Sequence, residues 1–249
     1  MGDDIDLESF PAPHWHEKDG GRYIGTGCYH VTRDPDTGWV NLGSYRVMIK
    51  GKRLVGHNVL PGRHADLHFK KYRERGERMP VAIVVGGDPL TFIMGGCDIP
   101  EGVSEYDVTG ALRGKPLDVV RGRVTGLPIP ANAEIVLEGY VDGDRLEPEG
   151  PFGEFSQISG DVKWNPVFRV KCITRRRDPI FYQLQMPWEN DWLAAPVTEA
   201  AGLQALRIAS VEPVDIRAPV GSCGYWSLIA SIKKRPGEGK NALLALLSV

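Results

Sequence analysis

Cysteine is scarce in this chain of 249 residues: Cys28, Cys97, Cys172 and Cys223 are the four present. They form no C-x-x-C pair and no zinc-ligand spacing, so neither a disulfide framework nor a structural zinc site is indicated, and reduced thiols are expected. Long apolar runs are also lacking. No stretch approaches the roughly 20 apolar residues that span a bilayer, and the acidic start, Met1 to Asp6, has no apolar core of the kind a secretory signal needs. A cytoplasmic protein without a membrane span is the expectation. An excess of charge of one sign is missing as well: 30 Lys and Arg oppose 32 Asp and Glu, for a formal net charge of -2. Such a balance provides no global field for nucleic acid or an anionic membrane, which argues against both as partners. Internal repeats and low-complexity segments are absent. What remains is an ordinary globular composition, 42% apolar and 25% charged, in a chain long enough for one large domain or two modest ones.

Residues 1–20 read as an extended lead-in, because Pro11, Pro13 and Gly20-Gly21 interrupt regular structure. Short strands are predicted at 23–32, 39–49 and 53–57, separated by turns at 34–38 and 50–52. A helix over 63–77 and an apolar strand over 81–85 follow. Asp88 and Ser104 are candidate N-caps of helices over 88–94 and 104–112. Strands are predicted at 119–125 and 133–140. Residues 164–185 read as two strands joined at Arg175-Arg176-Arg177, a solvated hairpin tip. The remainder is helix over 198–209, strands at 211–216 and 225–233, and a helix from 237. Strands followed by a helix-strand-strand-helix unit predict an α+β chain with a barrel-like part ahead of an α/β part.

One segment carries chemistry. Glu147-Pro-Glu149-Gly-Pro-Phe-Gly-Glu154 holds two prolines and two glycines, which forbid helix and fix a loop. Glu149 and Glu154 sit five residues apart on it, and a rigid loop can aim two carboxylates at one point for general acid/base work. If a cation pairs with one and the other lies near apolar surface, their roles separate. Taken alone, such a pair is more often a solvated acidic turn.

The hexapeptide Glu149-Gly-Pro-Phe-Gly-Glu154 resembles the catalytic loop of the UbiD family of reversible decarboxylases, and four further elements occur in family order. Asn41-Leu-Gly-Ser-Tyr-Arg46 looks like its N-x(4)-R element, Pro61-Gly-Arg63-His64 like the start of its metal-binding helix, 99–105 like the loop ending in its metal-binding Glu105, and 128–139 like the strand leading to the acidic loop. The resemblance covers about 5–249 and implies prenylated FMN as the electron sink that no side chain can supply. It further implies a divalent ion, Mn²⁺ or another, held by Asn41, His64 and Glu105, with K⁺ beside it. Hard oxygen-rich ligands suit such ions. Ser44, Tyr45 and Arg46 and Asn58, Val59 and Leu60 would line the isoalloxazine. Arg63 would reach the phosphate, and main chain at Trp39 and at Gly95, Gly96 and Cys97 would add contacts. Glu149 would orient Arg46, and Glu154 would donate the proton that replaces CO₂.

The implied domains are a split-barrel-like prenylated-FMN-binding domain over 21–187 and a partial α/β domain over 188–249. His68 reads as an ordinary helix residue, since His64-Ala-Asp-Leu-His68 lacks the Glu of a zinc helix. Leu60, Phe155 and residues 188–200 are the expected pocket wall for an aromatic or α,β-unsaturated acid. A flavin prenyltransferase is the implied cofactor supplier, and a homo-oligomer or a subunit of a complex is the expected state. Family members are considerably longer, and the apolar run 242–247 calls for a further element, so the chain is expected to continue. Two rival readings stand beside the enzyme: a truncated or non-catalytic subunit, and an FMN-binding split-barrel protein.

Overall fold

The computed structural model describes residues 2–249, the side chains of Asp3 and Asp144 excepted; Met1 of the expected lead-in lies outside them. By contact density the chain forms two units, one of 1–152 with 159–184, the other of 153–158 with 185–249.

The first unit is built on an eight-stranded sheet. Its strands are β1 (Tyr23–Gly25), β2 (Cys28–Arg33), β3 (Val40–Gly43), β4 (Val47–Gly51), β5 (Leu54–Gly56) and β6 (Met79–Val85), together with the long β9 (Ile135–Glu149) and β12 (Lys163–Arg175). A hairpin of β7 (Val119–Arg121) and β8 (Pro128–Pro130) lies outside it, and two-residue strands β10 (Phe152–Gly153) and β11 (Ser159–Gly160) flank the acidic loop. The sheet runs β1-β4-β5-β12-β9-β6-β2-β3, and the neighbours pair antiparallel. It is the curled half-barrel of an α+β protein.

Strand β6 shows why this sequence makes this sheet. Val81, Ile83 and Val85 enter one core with Ile24, Leu137 and Phe168. Ala82 and Val84 enter a second core on the opposite face with Tyr29, Val31 and Val136. Successive side chains alternate between faces, so an unbroken apolar run is what a strand covered on both sides requires. The helices α1 (His64–Glu74), α2 (Pro89–Met94) and α3 (Glu105–Arg113) belong to this unit. Asp88 and Ser104 cap α2 and α3 as expected, accepting from Leu90 N and Tyr106 N.

The second unit holds α4 (Trp188–Ile208), α5 (Glu238–Leu246), and an antiparallel hairpin of β13 (Pro213–Arg217) and β14 (Ile229–Ile232). Leu206, Val211, Ile216 and Ala242 form its core. No helix among the described residues is long and apolar enough to cross a membrane.

Several sequence expectations are corrected. The lead-in carries two 3-10 turns, at Gly2–Asp4 and Leu7–Ser9, and it is anchored: Ile5 and Leu7 are buried in the first core. Residues 164–185 hold one strand, not two; beyond Arg175 the chain leaves the sheet. The run Arg175 to Arg177 is exposed as expected but closes no hairpin, and Arg176 pairs with Glu134 at 3.1 Å while its N–H donates to the Glu134 carbonyl. The helix expected from 198 begins at Trp188 and contains Pro196. Proline inside a helix is disfavoured by the lost N–H.

Two imidazoles are sealed in the first unit. His30 and His57 are 0% and 2% exposed, with ring centroids 5.0 Å apart. His30 donates from Nε2 to the Tyr45 carbonyl at 3.1 Å, while neither ring nitrogen of His57 has a partner. Burial pushes His57 down to about 4. Burial first, and the neighbouring His57 second, hold His30 well below the ordinary histidine range. A base whose pKa is depressed on folding binds its proton more readily in the unfolded chain. Stability is therefore full above about pH 6.5 and falls as pH drops toward 4, by about 3 kcal/mol for His57 alone. Urea midpoints measured from pH 7 to 4.5 should decline, and His57→Leu should flatten the slope. A wild-type midpoint independent of pH in this window would contradict the reading.

Candidate active site

The geometry centres on Arg46 and Glu149. Arg46 donates from Nε to Glu149 Oε1 at 2.9 Å and from Nη2 to Oε2 at 2.7 Å. The arrangement is a two-point fork, which fixes orientation as well as charge. Both side chains are buried, 7% and 0% exposed. The Tyr23 hydroxyl donates to Glu149 Oε1 at 3.2 Å; burial, then the Glu149 charge, pushes that phenol upward. The Arg46 guanidinium lies over the Phe152 ring, 4.8 Å from its centroid, and Phe152 packs on Tyr23 at 4.5 Å. The arginine is thus held by a carboxylate and an aromatic face, and the phenol in turn holds the carboxylate, so its position is set before any ligand arrives.

Strand β5 passes very close to this pair. A Cβ on Gly56 would lie 2.9 Å from Glu149 Cγ, so only glycine leaves room for the carboxylate. Gly56→Ala should displace Glu149, cost about 1–3 kcal/mol by overpacking, and lower activity. Chemical denaturation beside a turnover assay checks it, and wild-type values in both would refute it.

A second group of predicted residues clusters around a cavity of about 490 Å³, lined by 42–45, Leu60, 62–64 and 95–100. That volume falls within the roughly 300–1,000 Å³ usual for small-molecule and cofactor sites. Ser44, Tyr45, Leu60, Arg63, His64, Gly95, Gly96 and Cys97 all line it. The Ser44 N–H donates to the Gly95 carbonyl at 2.8 Å, tying the two lining segments together. Asn58 and Val59 do not line it; the Asn58 side-chain carbonyl accepts from Asn165 at 2.9 Å. Arg63 reaches Asp98, 2.6 Å away in an exposed pair.

Asn41 Oδ1 and His64 Nδ1 are 3.0 Å apart. Glu105, 2% exposed, accepts from the Leu42 N–H at 2.6 Å. Burial pushes its carboxyl up to about 7, against the stabilisation from that N–H. Asn41 Nδ2 and Ser44 Oγ are buried with no partner. Among the described residues, no three His, Cys, Asp or Glu side chains are grouped to hold a metal, so a cation here would need the Asn41 oxygen and ligands from a bound anion. The orphaned polar atoms, the costly buried carboxyl of Glu105 and the cavity beside them fit a phosphate-bearing cofactor with a hard cation.

Trp39 is wedged between the two helix histidines, at 4.8 Å from His64 and 5.2 Å from His68. His68, expected as an ordinary helix residue, is 1% exposed, and its Nδ1 shares a 3.0 Å hydrogen bond with Thr32.

Glu154 belongs to the second unit. Its loop closes on itself, with the Glu154 N–H donating to the Ile158 carbonyl at 2.9 Å and the Gln157 N–H to the Glu154 carbonyl at 3.0 Å. Phe155, in the same loop, meets Tyr225 and Trp226 at centroid distances of 5.8 and 5.7 Å. Glu149, by contrast, ends strand β9 of the first unit, so the acidic motif is split between two units. The sequence reading missed Tyr23, His30 and His57. No local signal marks them, since each acquires its partner only through sheet pairing.

Comparison with known proteins shows the family. Residues 1–187 match the family described as UbiD, 3-octaprenyl-4-hydroxybenzoate carboxy-lyase Rift-related domain, and the chain belongs to the UbiD family. It is 36% identical over 244 residues to a phenolic acid decarboxylase of Escherichia coli O157:H7, covering 95% of this chain and 51% of that protein. It is 39% identical over 181 residues to a pyrrole-2-carboxylic acid decarboxylase of Pseudomonas aeruginosa, covering 72% and 36%. Among solved structures, an evolved dimeric form of the UbiD-class enzyme HmfF from Pelotomaculum thermopropionicum in complex with prFMN superposes with a TM-score of 0.94 at 32% identity. The match covers 100% of this chain and 58% of that one. The chain spans about half the length of the curated relatives it matches.

Proposed function

We propose that this chain supplies the cofactor-binding part of a decarboxylase that removes CO₂ from an aromatic or α,β-unsaturated carboxylic acid, reversibly, with prenylated FMN and a divalent ion. The observation that carries the reading is the buried Arg46–Glu149 fork, a pre-oriented cation beside the cofactor-sized cavity segments that Arg46 adjoins in sequence. The prenylated flavin supplies, when bound, the electron sink for the pair left behind as CO₂ departs. Arg46 holds the substrate carboxylate, Glu149 holds Arg46, and Tyr23 holds Glu149. Glu154 gives its proton to the carbon that lost CO₂ and is reprotonated from water; in the carboxylation direction it accepts that proton. Asn41, His64 and Glu105 hold the divalent ion, Mn²⁺ as the family resemblance implies, with K⁺ beside it. Ser44, Tyr45, Leu60, Arg63 and 95–97 enclose the flavin and its phosphate, and Asn58 and Val59 support Leu60.

The cytoplasm is the proposed location, and self-assembly or a partner subunit the proposed state. A flavin prenyltransferase supplies the cofactor. The test is co-production of the full-length protein with that enzyme, followed by the flavin absorption spectrum and CO₂ release from a panel of aromatic and cinnamic-type acids. Retained prenylated flavin with CO₂ release is expected. A protein that retains ordinary FMN and releases none would establish the split-barrel flavoprotein instead, and one that retains no flavin would establish the non-catalytic subunit.

A further inference from the structure

The Glu149 fork fixes only the tip of Arg46. An arginine stem turns about several bonds, so the guanidinium is placed for a ligand only when the backbone it starts from is fixed too. A peptide unit is planar. The Tyr45 carbonyl therefore shares a plane with the Arg46 N–H, and whatever holds that carbonyl orients the root of Arg46. Two buried donors hold it, the Cys28 thiol at 3.2 Å and His30 Nε2 at 3.1 Å. Cys28 and His30 stand two apart on β2, where the period of two brings both side chains to one face. They are 1% and 0% exposed. Burial pushes the Cys28 thiol upward, so it stays an S–H donor. Burial first, and the neighbouring His57 second, keep His30 neutral. A carbonyl only accepts, so Nε2 carries the proton of that neutral ring.

Tyr45 is braced on its other sides as well. Its ring meets the His30 ring edge-on, with centroids 5.3 Å apart. Gly43 leaves it room, since a Cβ there would lie 2.4 Å from the Tyr45 ring. The phenol oxygen accepts from the Ala65 N–H in the first turn of α1. Tyr45 also lines the 490 Å³ cavity, so the residue that carries the root of Arg46 is a wall of the cofactor-sized site. The ordinary explanation of a buried histidine is a core residue with both ring nitrogens satisfied. His30 departs from it. Its Nδ1 has no partner among the described residues, and a leucine there would fill the core without leaving a polar atom dry. What the imidazole offers and a leucine lacks is the bond to the Tyr45 carbonyl.

We infer that His30 is a positioning residue for Arg46: by holding the Tyr45 carbonyl it sets the backbone from which the guanidinium reaches both Glu149 and the substrate carboxylate. It acts through Tyr45 and not on the reacting atoms. The inference rests on the decarboxylase reading for what Arg46 holds, and it adds to that reading a residue one strand away from the fork.

The test uses the full-length, flavin-loaded protein and two variants, H30L, which has no donor, and H30Q, whose amide N–H can take the place of the Nε2 donor. Binding of aromatic and cinnamic-type acids is measured by calorimetry, beside CO₂ release and the thermal midpoint. In H30L, kcat/KM should fall by about 10- to 100-fold, as for a displaced binding group, with weaker binding of the acid, and H30Q should recover most of the loss. H30L should nevertheless melt no lower than H30Q, because leucine leaves no polar atom dry. Weaker binding by the stabler variant is not a folding defect. In the background of Arg46→Met with Glu149→Leu, where the positioned group is gone, His30→Leu should weaken binding no further, since residues acting through one another are not additive. Wild-type binding in H30L, an H30Q that falls as far as H30L, or a full further loss in that background would overturn the proposal. If binding follows the expected order while no variant, and not the wild type, releases CO₂, the decarboxylase reading fails and the positioning role stands. A wild type that binds none of the acids overturns both.

Discussion

Glu149→Ala should leave Arg46 buried and uncompensated, lowering stability by about 3–5 kcal/mol, a fall in the thermal midpoint of roughly 10 °C for a unit of this size. Turnover should be lost with it. The size of the effect follows from geometry. Both ends of the guanidinium fork terminate on Glu149 within 2.9 Å, and the pair is sealed from water, so no solvent steps in when the carboxylate goes. Surface pairs such as Arg63–Asp98, with the arginine half-exposed, should cost under about 1 kcal/mol when broken. A double variant separates structure from chemistry. Arg46→Met with Glu149→Leu removes both charges and fills the space, so most of the stability should return, while turnover should not. Calorimetric melting and CO₂ release measure the two effects. A single variant that melts with the wild type, or a double variant that turns over, would show that the fork is not what positions the substrate carboxylate.

The fork also shows what was legible in the sequence. Arg46 and Glu149 stand 103 residues apart in the chain, and local pattern could not join them; only the family resemblance did. Sheet elements with a local signature were found, β6 from its apolar run and the caps Asp88 and Ser104 from their residue types. Segments whose conformation is decided by tertiary pairing were not. Strand β9 continues through Gly139, Gly143 and Pro148 because β12 pairs with it across two irregularities, and no propensity would extend a strand through those residues. Helix α4 continues through Pro196, which reads locally as a stop. The predicted site residues were legible as motif members, but their costs were not: the orphaned Ser44 Oγ and Asn41 Nδ2 and the raised carboxyl of Glu105 exist only once burial does.

Glu154→Gln should bring the opposite signature: turnover down by about 10²–10⁴-fold or more, as for loss of a proton donor, with cofactor and fold retained. Glutamine is nearly isosteric, and the loop's own closure uses the backbone. The Glu154 N–H bonds to the Ile158 carbonyl and the Gln157 N–H to the Glu154 carbonyl, contacts the substitution leaves intact. The segments 42–45, Leu60, 62–64 and 95–100 line the cavity and residue 154 is not among them, so under the proposed function flavin content is expected to hold. The outcome therefore discriminates between roles. A residue that positions the fork would lose stability when changed, as Glu149 does; a proton donor loses only the step that needs its proton. The absorption spectrum, the melting midpoint and CO₂ release should be measured on one preparation. Wild-type turnover in the Gln variant would move the proton donor elsewhere, and loss of flavin alongside activity would make Glu154 a binding residue. Exchange of the substrate's departing carboxylate with labelled CO₂ adds a finer reading, because it needs C–C cleavage but not protonation. It should persist in the Gln variant and vanish in Glu149→Ala, which places Glu154 after the bond is broken and Arg46 with Glu149 before it.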